Sequence, residues 1–169
     1  MRPTTPAGSM ATGWIVVAAT VALDETTKTL ARLALPLCIA RGCPGAHVVG
    51  PVGFLRVENA GSALGLMQGA WWWILISVVA ICSIPFVARL GRSDPRLIAG
   101  AALIGGGAAG NLLDRLLQGG ATDFIDVGVH VIFNVADVAL VLGCVLLSSS
   151  LWRSTKDADE RGHLMDQVA

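Results

Sequence analysis

Residues 71–88, WWWILISVVAICSIPFVA, form a run of eighteen residues without a single charged side chain. A helix needs roughly 20 residues to cross the hydrocarbon core of a bilayer, and tryptophan is enriched at the membrane–water interface. The run therefore predicts a transmembrane helix that begins at an interface. The whole chain agrees with this, because 54% of its 169 residues are hydrophobic, only 14% are charged and its mean hydropathy is +0.67.

Three more uncharged runs flank this one, at residues 13–23, 97–113 and 138–152. Together the four runs predict a mainly α-helical integral membrane protein with four transmembrane helices in one domain, residues 13–152. The first run is also compatible with a signal peptide cleaved near Ala22, but the region before it carries only Arg2 as a basic residue. Three further spans downstream favour an uncleaved first helix after a short N-terminus of residues 1–12.

The basic residues indicate how the spans are oriented. The connection over residues 36–70 is long but has only Arg41 and Arg56, whereas the short link after the second span and the tail are rich in basic residues: Arg89, Arg92, Arg96, Arg153, Lys156 and Arg161. The positive-inside rule then places both termini in the cytoplasm. It also places the connections over residues 36–70 and 114–130 outside, with the alternating sequence FLRVEN (residues 54–59) as a short strand at the membrane surface. Residues 153–169 predict a solvated cytoplasmic tail whose composition is compatible with disorder.

Polar side chains interrupt three of the predicted helices at a similar depth. With a rise of about 1.5 Å per residue, Asn111 and Asp114 lie roughly 21 and 26 Å above the cytoplasmic end of the third helix, and Asp137 roughly 22 Å above that of the fourth. Asp24 reaches a similar level on the first helix if that helix begins a few residues before Gly13. Since ionisable residues at membrane depth usually face a bundle interior or a cavity, we expect these groups to form a site near the outer face of the bilayer.

Ion pairs that only close helix ends are an alternative explanation for some of these groups. Asp24 and Lys28 are four residues apart and share a helix face, so they can pair with each other. Asp114 is followed directly by Arg115. For these two pairs the sequence leaves both interpretations open.

Two aspartates, Asp123 and Asp137, have no cation close to them in the sequence and are the best candidates for chemistry. Two carboxyl groups that lie close together share one proton, because like charges at short range do not both ionise. The ionised member can then act as a general base on water while the protonated member donates to a carbonyl oxygen or a leaving group. This combination predicts peptide hydrolysis of the aspartic-protease type at a membrane boundary.

The four cysteines and three histidines give no pattern typical of a metal site. Cys38 and Cys43 form either a disulfide or two free thiols, and Cys82 and Cys144 are expected in the core because they lie within apolar runs. The sequence GGGAAG, residues 105–110, satisfies a nucleotide-binding pattern but lacks the strand that should precede it. Its Gly106 and Gly110 have the spacing that lets membrane helices approach closely.

Five short motifs occur in an order that resembles the lipoprotein signal peptidases, also called signal peptidase II, over about residues 14–152. They are DETTK (24–28), NAGSALG (59–65), GNLLDR (110–115), TDFID (122–126) and FNVAD (133–137). The resemblance implies an aspartic endopeptidase that cuts a prolipoprotein just before its diacylglyceryl-modified cysteine. It implies Asp123 and Asp137 as the catalytic pair, and it matches supporting positions of that family to Asp24, Lys28, Asn59, Gly61, Asn111, Asp114, Arg115 and Asn134.

The resemblance also implies the surroundings of the protein. It implies four transmembrane helices, a small extracytoplasmic β cradle and a short extracytoplasmic helix, in the cytoplasmic membrane of a bacterium. The expected partners are diacylglyceryl-modified prolipoproteins, membrane lipids and globomycin-type peptide inhibitors. No metal or other cofactor and no nucleic acid is expected, and the protein is expected to be a monomer.

Two other functions compete with this interpretation. A small transporter or proton relay would use Asp24, Asp114 and Asp137 along a path through the membrane, but the cytoplasmic halves of the second, third and fourth spans carry no charge. A structural scaffold would use the glycine-rich third span as its packing surface, and it would tolerate the loss of Asp123 and Asp137.

Overall fold

The computed structural model of the protein describes residues 6–38, 47–49, 52–59, 70–90, 94–127 and 131–168. Four helices account for most of this part: α1 (Pro6–Ala34), α2 (Ala70–Leu90), α3 (Pro95–Gln118) and α4 (Val135–Val168). Four short strands, β1 (His47–Val49), β2 (Val52–Asn59), β3 (Ala121–Asp126) and β4 (Ile132–Phe133), form one antiparallel sheet in that order. The mainly helical class with a small β-sheet is therefore confirmed, and the strand expected at FLRVEN is part of β2. Within the described residues there is no short extracytoplasmic helix.

Two helical segments, Pro95–Gln118 and Val135–Asp157, are long and apolar enough to cross a membrane, and Trp72–Val87 is a shorter apolar helix. The C-terminal half of α1 carries Asp24 and Lys28, which lower the hydropathy of this helix. Length and composition thus support two spans directly, and the four-span arrangement remains a prediction.

Large apolar side chains lie on the outer surfaces of the helices, as a lipid-facing surface requires. Leu33 is 81% exposed, Leu117 is 78% exposed and Trp152 is 67% exposed. Cys82 and Cys144 are also exposed, so the expectation that they lie in the core was wrong. An apolar run in a helix that faces lipid need not face the protein interior, and sequence hydropathy does not separate the two faces.

Glycines let α3 approach α1 and α4 closely. A Cβ atom on Gly106 would lie 2.7 Å from the Cβ of Thr20 on α1, and one on Gly110 would collide with the Asp24 carboxylate. On the side that faces α4, a Cβ on Gly100 would lie 2.9 Å from the carbonyl oxygen of Gly143. The close approach predicted from the spacing of Gly106 and Gly110 is confirmed, and it brings the polar groups of α1 and α3 into contact.

Two helix ends differ from the sequence expectation. Helix α3 continues through Asp114 and Arg115 and ends at Gly119, which adopts φ 80° and donates its N–H to Arg115 O at 3.1 Å. This left-handed conformation is one that glycine adopts without strain, so the connection expected to start at residue 114 starts after Gln118. The tail after Trp152 was expected to be open to disorder, but α4 continues to Val168. Residues 153–168 contain no proline and several straight-chain side chains that favour helix, and extending a helix is easier than starting one.

Candidate active site

The first turn of α4 is held by a reciprocal pair of hydrogen bonds. Asn134 precedes the helix and its Oδ1 accepts the backbone N–H of Asp137 at 3.0 Å, while Asp137 Oδ2 accepts the backbone N–H of Asn134 at 3.2 Å. This is a capping box, in which two N–H groups that lack partners within the helix are satisfied by side chains three residues apart. The box fixes the side chain of Asp137 at the start of α4, where the helix dipole favours a negative charge.

The amide groups of Asn111 and Asn134 connect the two aspartates predicted to be catalytic. Asn134 Nδ2 donates to Asp123 Oδ1 at 2.7 Å and to Asn111 Oδ1 at 2.9 Å. Asn111 Nδ2 in turn donates to Asp137 Oδ1 at 2.9 Å. Both carboxylates are therefore held by the same pair of amides, one from α3 and one from the start of α4.

Asp123 lies on β3, and its other oxygen is held from the neighbouring strand. Asn59 Nδ2 of β2 donates to Asp123 Oδ2 at 2.9 Å, because the antiparallel register sets Val57 opposite Asp123 and Asn59 opposite Ala121. Burial raises the pKa of Asp123 to about 7, against the hydrogen bonds from Asn59 and Asn134, which lower it. The Asp137 carboxylate also raises it, and the value of about 7 includes this effect. Asp123 is thus a group that keeps its proton to nearly neutral pH.

Neither aspartate has a cation within ion-pair distance in the part of the chain that the structure describes. Amide N–H groups surround the two carboxyl groups instead. Amides satisfy the oxygens of a carboxylate without adding a full charge. This is the environment in which two carboxyl groups can hold one proton between them.

Beneath this pair lies a completely buried ion cluster centred on Lys28. The Lys28 ammonium lies 2.7 Å from Asp24 Oδ2 and 3.1 Å from Asp114 Oδ2, and it donates to Asn111 Oδ1 at 3.0 Å. Lys28, Asp24 and Asp114 are all at most 1% exposed. The Asp24–Lys28 pair expected from the spacing is present, and Lys28 also fixes the Asn111 amide with its N–H₂ toward Asp137.

Asp24 also joins α1 to the start of α4. Its Oδ1 accepts the backbone N–H of Ala136 at 2.8 Å, a third N–H group of the first turn of α4. The first and last helices of the chain are therefore connected directly at the site.

Asp114 pairs with Lys28 and Arg32 of α1, so the alternative in which Asp114 and Arg115 form an ion pair that only closes a helix end does not hold. The side chain of Arg115, the next residue on the helix, contacts other groups. It donates to Asn111 O at 3.0 Å, and its guanidinium group lies 5.5 Å from the ring centre of Trp73 on α2. This distance is within the range of a cation–π interaction.

Three residues of the network were not predicted from the sequence: Arg32, Thr122 and Glu58. Arg32 could have been found, because it continues the four-residue spacing of Asp24 and Lys28 along one face of α1. Thr122 lies in the TDFID motif and Glu58 in the predicted strand, but their contacts depend on the pairing of β2 with β3, which the sequence does not show. Gly61, the remaining predicted site residue, lies outside the described residues. Cys38 is disulfide-bonded, and Cys43 also lies outside the described residues.

The site therefore combines two amide-bound carboxyl groups with a buried ion cluster, within a bundle of apolar helices. Comparison of the chain with known proteins shows the family to which it belongs. The family described as signal peptidase (SPase) II matches residues 16–153. The lipoprotein signal peptidase of Rhodococcus jostii (strain RHA1) is 36% identical over 145 residues, which cover 79% of this chain and 69% of the relative. That of Pelotomaculum thermopropionicum (strain DSM 13744 / JCM 10971 / SI) is 32% identical over 150 residues, which cover 87% and 93%.

The fold agrees with this assignment. A solved structure described as a bacterial membrane enzyme matches with a TM-score of 0.75 at 23% sequence identity, covering 87% of this chain and 91% of that chain. This likeness concerns the fold, and the class of protein, a peptidase, follows from the family match. The chain belongs to the signal peptidase II family, and this membership indicates a hydrolase that processes lipoproteins.

Proposed function

We propose that this protein is an aspartic endopeptidase that removes the signal peptide from prolipoproteins by cleaving before the diacylglyceryl-modified cysteine. The observation that carries the proposal is the pair of amides, Asn111 and Asn134, that connects Asp123 with Asp137. The other six supporting residues are proposed to shape the site around this pair: Asp24, Lys28, Asn59, Gly61, Asp114 and Arg115. The family match supports lipoprotein processing, and it gives no support to a relay or a scaffold.

In the proposed mechanism Asp123 carries the shared proton and Asp137 is the ionised base. The assignment follows from burial, which keeps the proton on Asp123 to nearly neutral pH. Asp137 takes a proton from water as the water oxygen bonds to the scissile carbonyl carbon, and Asp123 donates its proton to the carbonyl oxygen. When the C–N bond breaks, the proton held by Asp137 passes to the leaving amine, and a hydroxyl proton of the intermediate returns to Asp123. The pair ends with one proton, as it began.

Amide donors suit this cycle better than a cation would. A lysine or arginine paired with either aspartate would hold it ionised and would remove the shared proton. Amide N–H groups bind a carboxyl oxygen in either protonation state, so the proton can move between the members during the reaction. The charged groups of the buried cluster contact Asn111 through Lys28 and do not contact Asp123 or Asp137 directly.

The proposed setting is the bacterial cytoplasmic membrane. We propose four membrane spans within residues 13–152, with both termini cytoplasmic and the site near the outer leaflet. A substrate anchored by its own diacylglyceryl group would then present the scissile bond at the depth of Asp123 and Asp137. An open apolar cavity of about 260 Å³ lies between Phe124, which follows Asp123 on β3, Phe54 and α1. Apolar surface is therefore present close to the two aspartates. The proposed working unit is a monomer.

The experiment that tests this function is a gel-shift cleavage assay on a purified prolipoprotein with and without the diacylglyceryl group. Wild type is compared with Asp123→Asn and Asp137→Asn, and with Asp159→Asn as a matched control on the exposed surface of α4. Cleavage of the lipidated substrate alone, lost in both site variants and kept in the control, is the expected result. Cleavage that persists in both site variants, or intact lipidated substrate with folded wild-type protein, would overturn the proposal.

A further inference from the structure

Thr122, the residue that precedes Asp123 on β3, has its own set of contacts apart from those of the two aspartates. Thr122 is completely buried. Its backbone N–H donates to Asp114 Oδ2 at 2.8 Å, and its hydroxyl oxygen accepts from Arg32 Nε at 3.0 Å while donating to Glu58 Oε2 at 3.3 Å. Three contacts from three different elements thus fix both the backbone and the side chain of this residue.

Arg32 links these contacts. The same guanidinium group that donates to Thr122 also forms an ion pair with Asp114, the carboxylate that accepts the Thr122 N–H. Arg32 is 17% exposed, so this ion pair is largely shielded from water. One arginine therefore holds the Thr122 side chain and, through Asp114, its backbone.

Glu58 is held in place by Arg56, which lies on the same strand. Arg56 donates to Glu58 Oε1 at 3.0 and 2.8 Å in a two-point contact, and its other terminal nitrogen donates to Arg32 O at 3.4 Å. Both nitrogens contact the same oxygen, and the other oxygen, Oε2, accepts from the Thr122 hydroxyl. The hydroxyl of Thr122 therefore lies between two side chains that are themselves restrained.

Successive side chains of a strand point to opposite faces, so Arg32 reaches Thr122 without touching Asp123. We propose that Arg32 is a positioning residue that sets the placement of the Asp123 carboxyl group through Thr122. The proposal rests on the proposed function, in which Asp123 is catalytic. It adds a residue outside the five motifs that carry the family resemblance.

A small displacement of Asp123 should affect the reaction strongly. A misplacement of about 1 Å in a catalytic group can cost 10²-fold in rate. Loss of Arg32 frees the Thr122 hydroxyl from one partner and leaves Asp114 with Lys28 as its only cation among the described residues. Because Arg32 does not touch the reacting atoms, its loss should lower kcat and leave KM unchanged.

The test compares Arg32→Gln, Thr122→Val and the double variant with wild type, using cleavage of the lipidated prolipoprotein. We expect each single variant to lower kcat about 10- to 100-fold with KM within about twofold. The double variant should lose no more than the more damaged single variant, because both changes break one connected contact. Thr122→Ser, which keeps the hydroxyl, should recover most of the activity, and Arg153→Gln on the exposed surface of α4 is the matched control.

The pH dependence separates positioning from general loss of structure. If Asp123 moves, its burial and its contacts with Asn59 and Asn134 change, and the alkaline limb of the kcat profile should shift in Arg32→Gln and Thr122→Val alike. A decrease in kcat with an unchanged limb, full additivity of the two changes, or wild-type kcat in Arg32→Gln would each overturn the proposal. Wild-type cleavage is measured in the same experiment, so a failure of the proposed function appears separately as loss of cleavage by the wild type. Thr122→Val keeps the test decisive if Arg32→Gln does not fold.

Discussion

Asn134 donates its side-chain amide to Asn111 Oδ1 at 2.9 Å, so the two amides that bind the two candidate catalytic aspartates are hydrogen-bonded to each other. Asn111 Oδ1 accepts a second hydrogen bond from Lys28. With both acceptor positions filled, the N–H₂ group of Asn111 must face Asp137. The buried ion cluster therefore sets the orientation of the donor that contacts the proposed base, and several predictions depend on this chain of contacts.

The first prediction concerns the pH dependence of cleavage. Activity should fall as pH rises through about 7, because Asp123 loses the proton that it donates to the carbonyl oxygen. It should also fall at low pH, when the ionised member of the pair becomes protonated. The two apparent pKa values belong to the pair rather than to single residues. The measurement is kcat/KM against pH, and a profile that stays flat down to about pH 3, below the ordinary value for aspartate, would contradict the mechanism.

Stability should depend on the same proton. The pKa of Asp123 is raised from 3.8 to about 7 in the folded protein. The stability contributed by the protonated group is therefore fully present below about pH 3.8 and is lost as pH rises through about 7. Asp123→Asn stays neutral throughout. We expect its unfolding temperature to rise relative to that of wild type between pH 4 and 8, and a difference that does not change with pH would show that Asp123 is not protonated in the folded state.

Two substitutions at Asn134 should separate its capping role from its proposed role in catalysis. Serine is about as good as asparagine at the start of a helix, so Asn134→Ser should keep the cap. Its side chain is too short to donate to Asp123 and Asn111, so activity should fall at least 10-fold. Asn134→Ala should lose both functions, with an additional loss of about 1 kcal/mol in stability. If Asn134→Ser were fully active, the amide link would not be needed for cleavage.

Removing the Lys28 charge should destabilise the protein more than removing any exposed charge. Lys28→Met leaves Asp24 buried without its cation and removes a donor from Asn111. Breaking a buried ion pair by removing one partner costs about 3–5 kcal/mol. Lys156→Met, on the exposed surface of α4, should change stability by less than about 0.5 kcal/mol. Thermal unfolding in detergent measures both changes in stability. Equal changes would mean that the buried ion cluster stabilises the fold no more than an exposed charge does.

Gly106 should not tolerate alanine. The added Cβ would lie 2.7 Å from the Thr20 Cβ, so α1 and α3 would have to separate, and overpacking of this kind costs about 1–3 kcal/mol. Because Asp24 and Lys28 lie on the displaced helix, cleavage should fall together with stability. Gly13→Ala is the matched control, since its Cβ would meet Ile98 at an ordinary 3.4 Å. If both variants unfolded at the same temperature, close helix approach would not explain the Gly106 position.

Much of the helical framework could be predicted because it depends on local composition. The apolar runs located all four helices, the four-residue spacing predicted the Asp24–Lys28 pair, and alternation predicted the strand within β2. Helix ends were less certain: the left-handed Gly119 extends α3 beyond residue 114, and α4 continues into a polar segment because an existing helix extends easily.

The contacts that complete the site could not be predicted in the same way. Arg32 meets Asp114 and Thr122 across 82 and 90 residues of sequence, and no local pattern carries that information. For the same reason the sequence left open whether Asp114 pairs with its neighbour Arg115. The motifs indicated which residues belong to the site, but the hydrogen-bond partner of each depends on how the helices and strands pack.

The bond from the Ala136 N–H to Asp24 Oδ1 joins residues 112 apart in the chain, and this has a consequence for biosynthesis. The ribosome makes Asp24 and Lys28 early, long before α3 and α4 exist. During that interval neither α3 nor α4 offers them a partner, and their spacing on one helix face lets them pair with each other. The contacts of Lys28 with Asn111 and Asp114 require α3, and the contact of Asp24 with Ala136 requires α4. A nascent or truncated chain that lacks α4 therefore has neither Asp137 nor the complete amide link, so the proposed peptidase gains activity only at the end of its own synthesis.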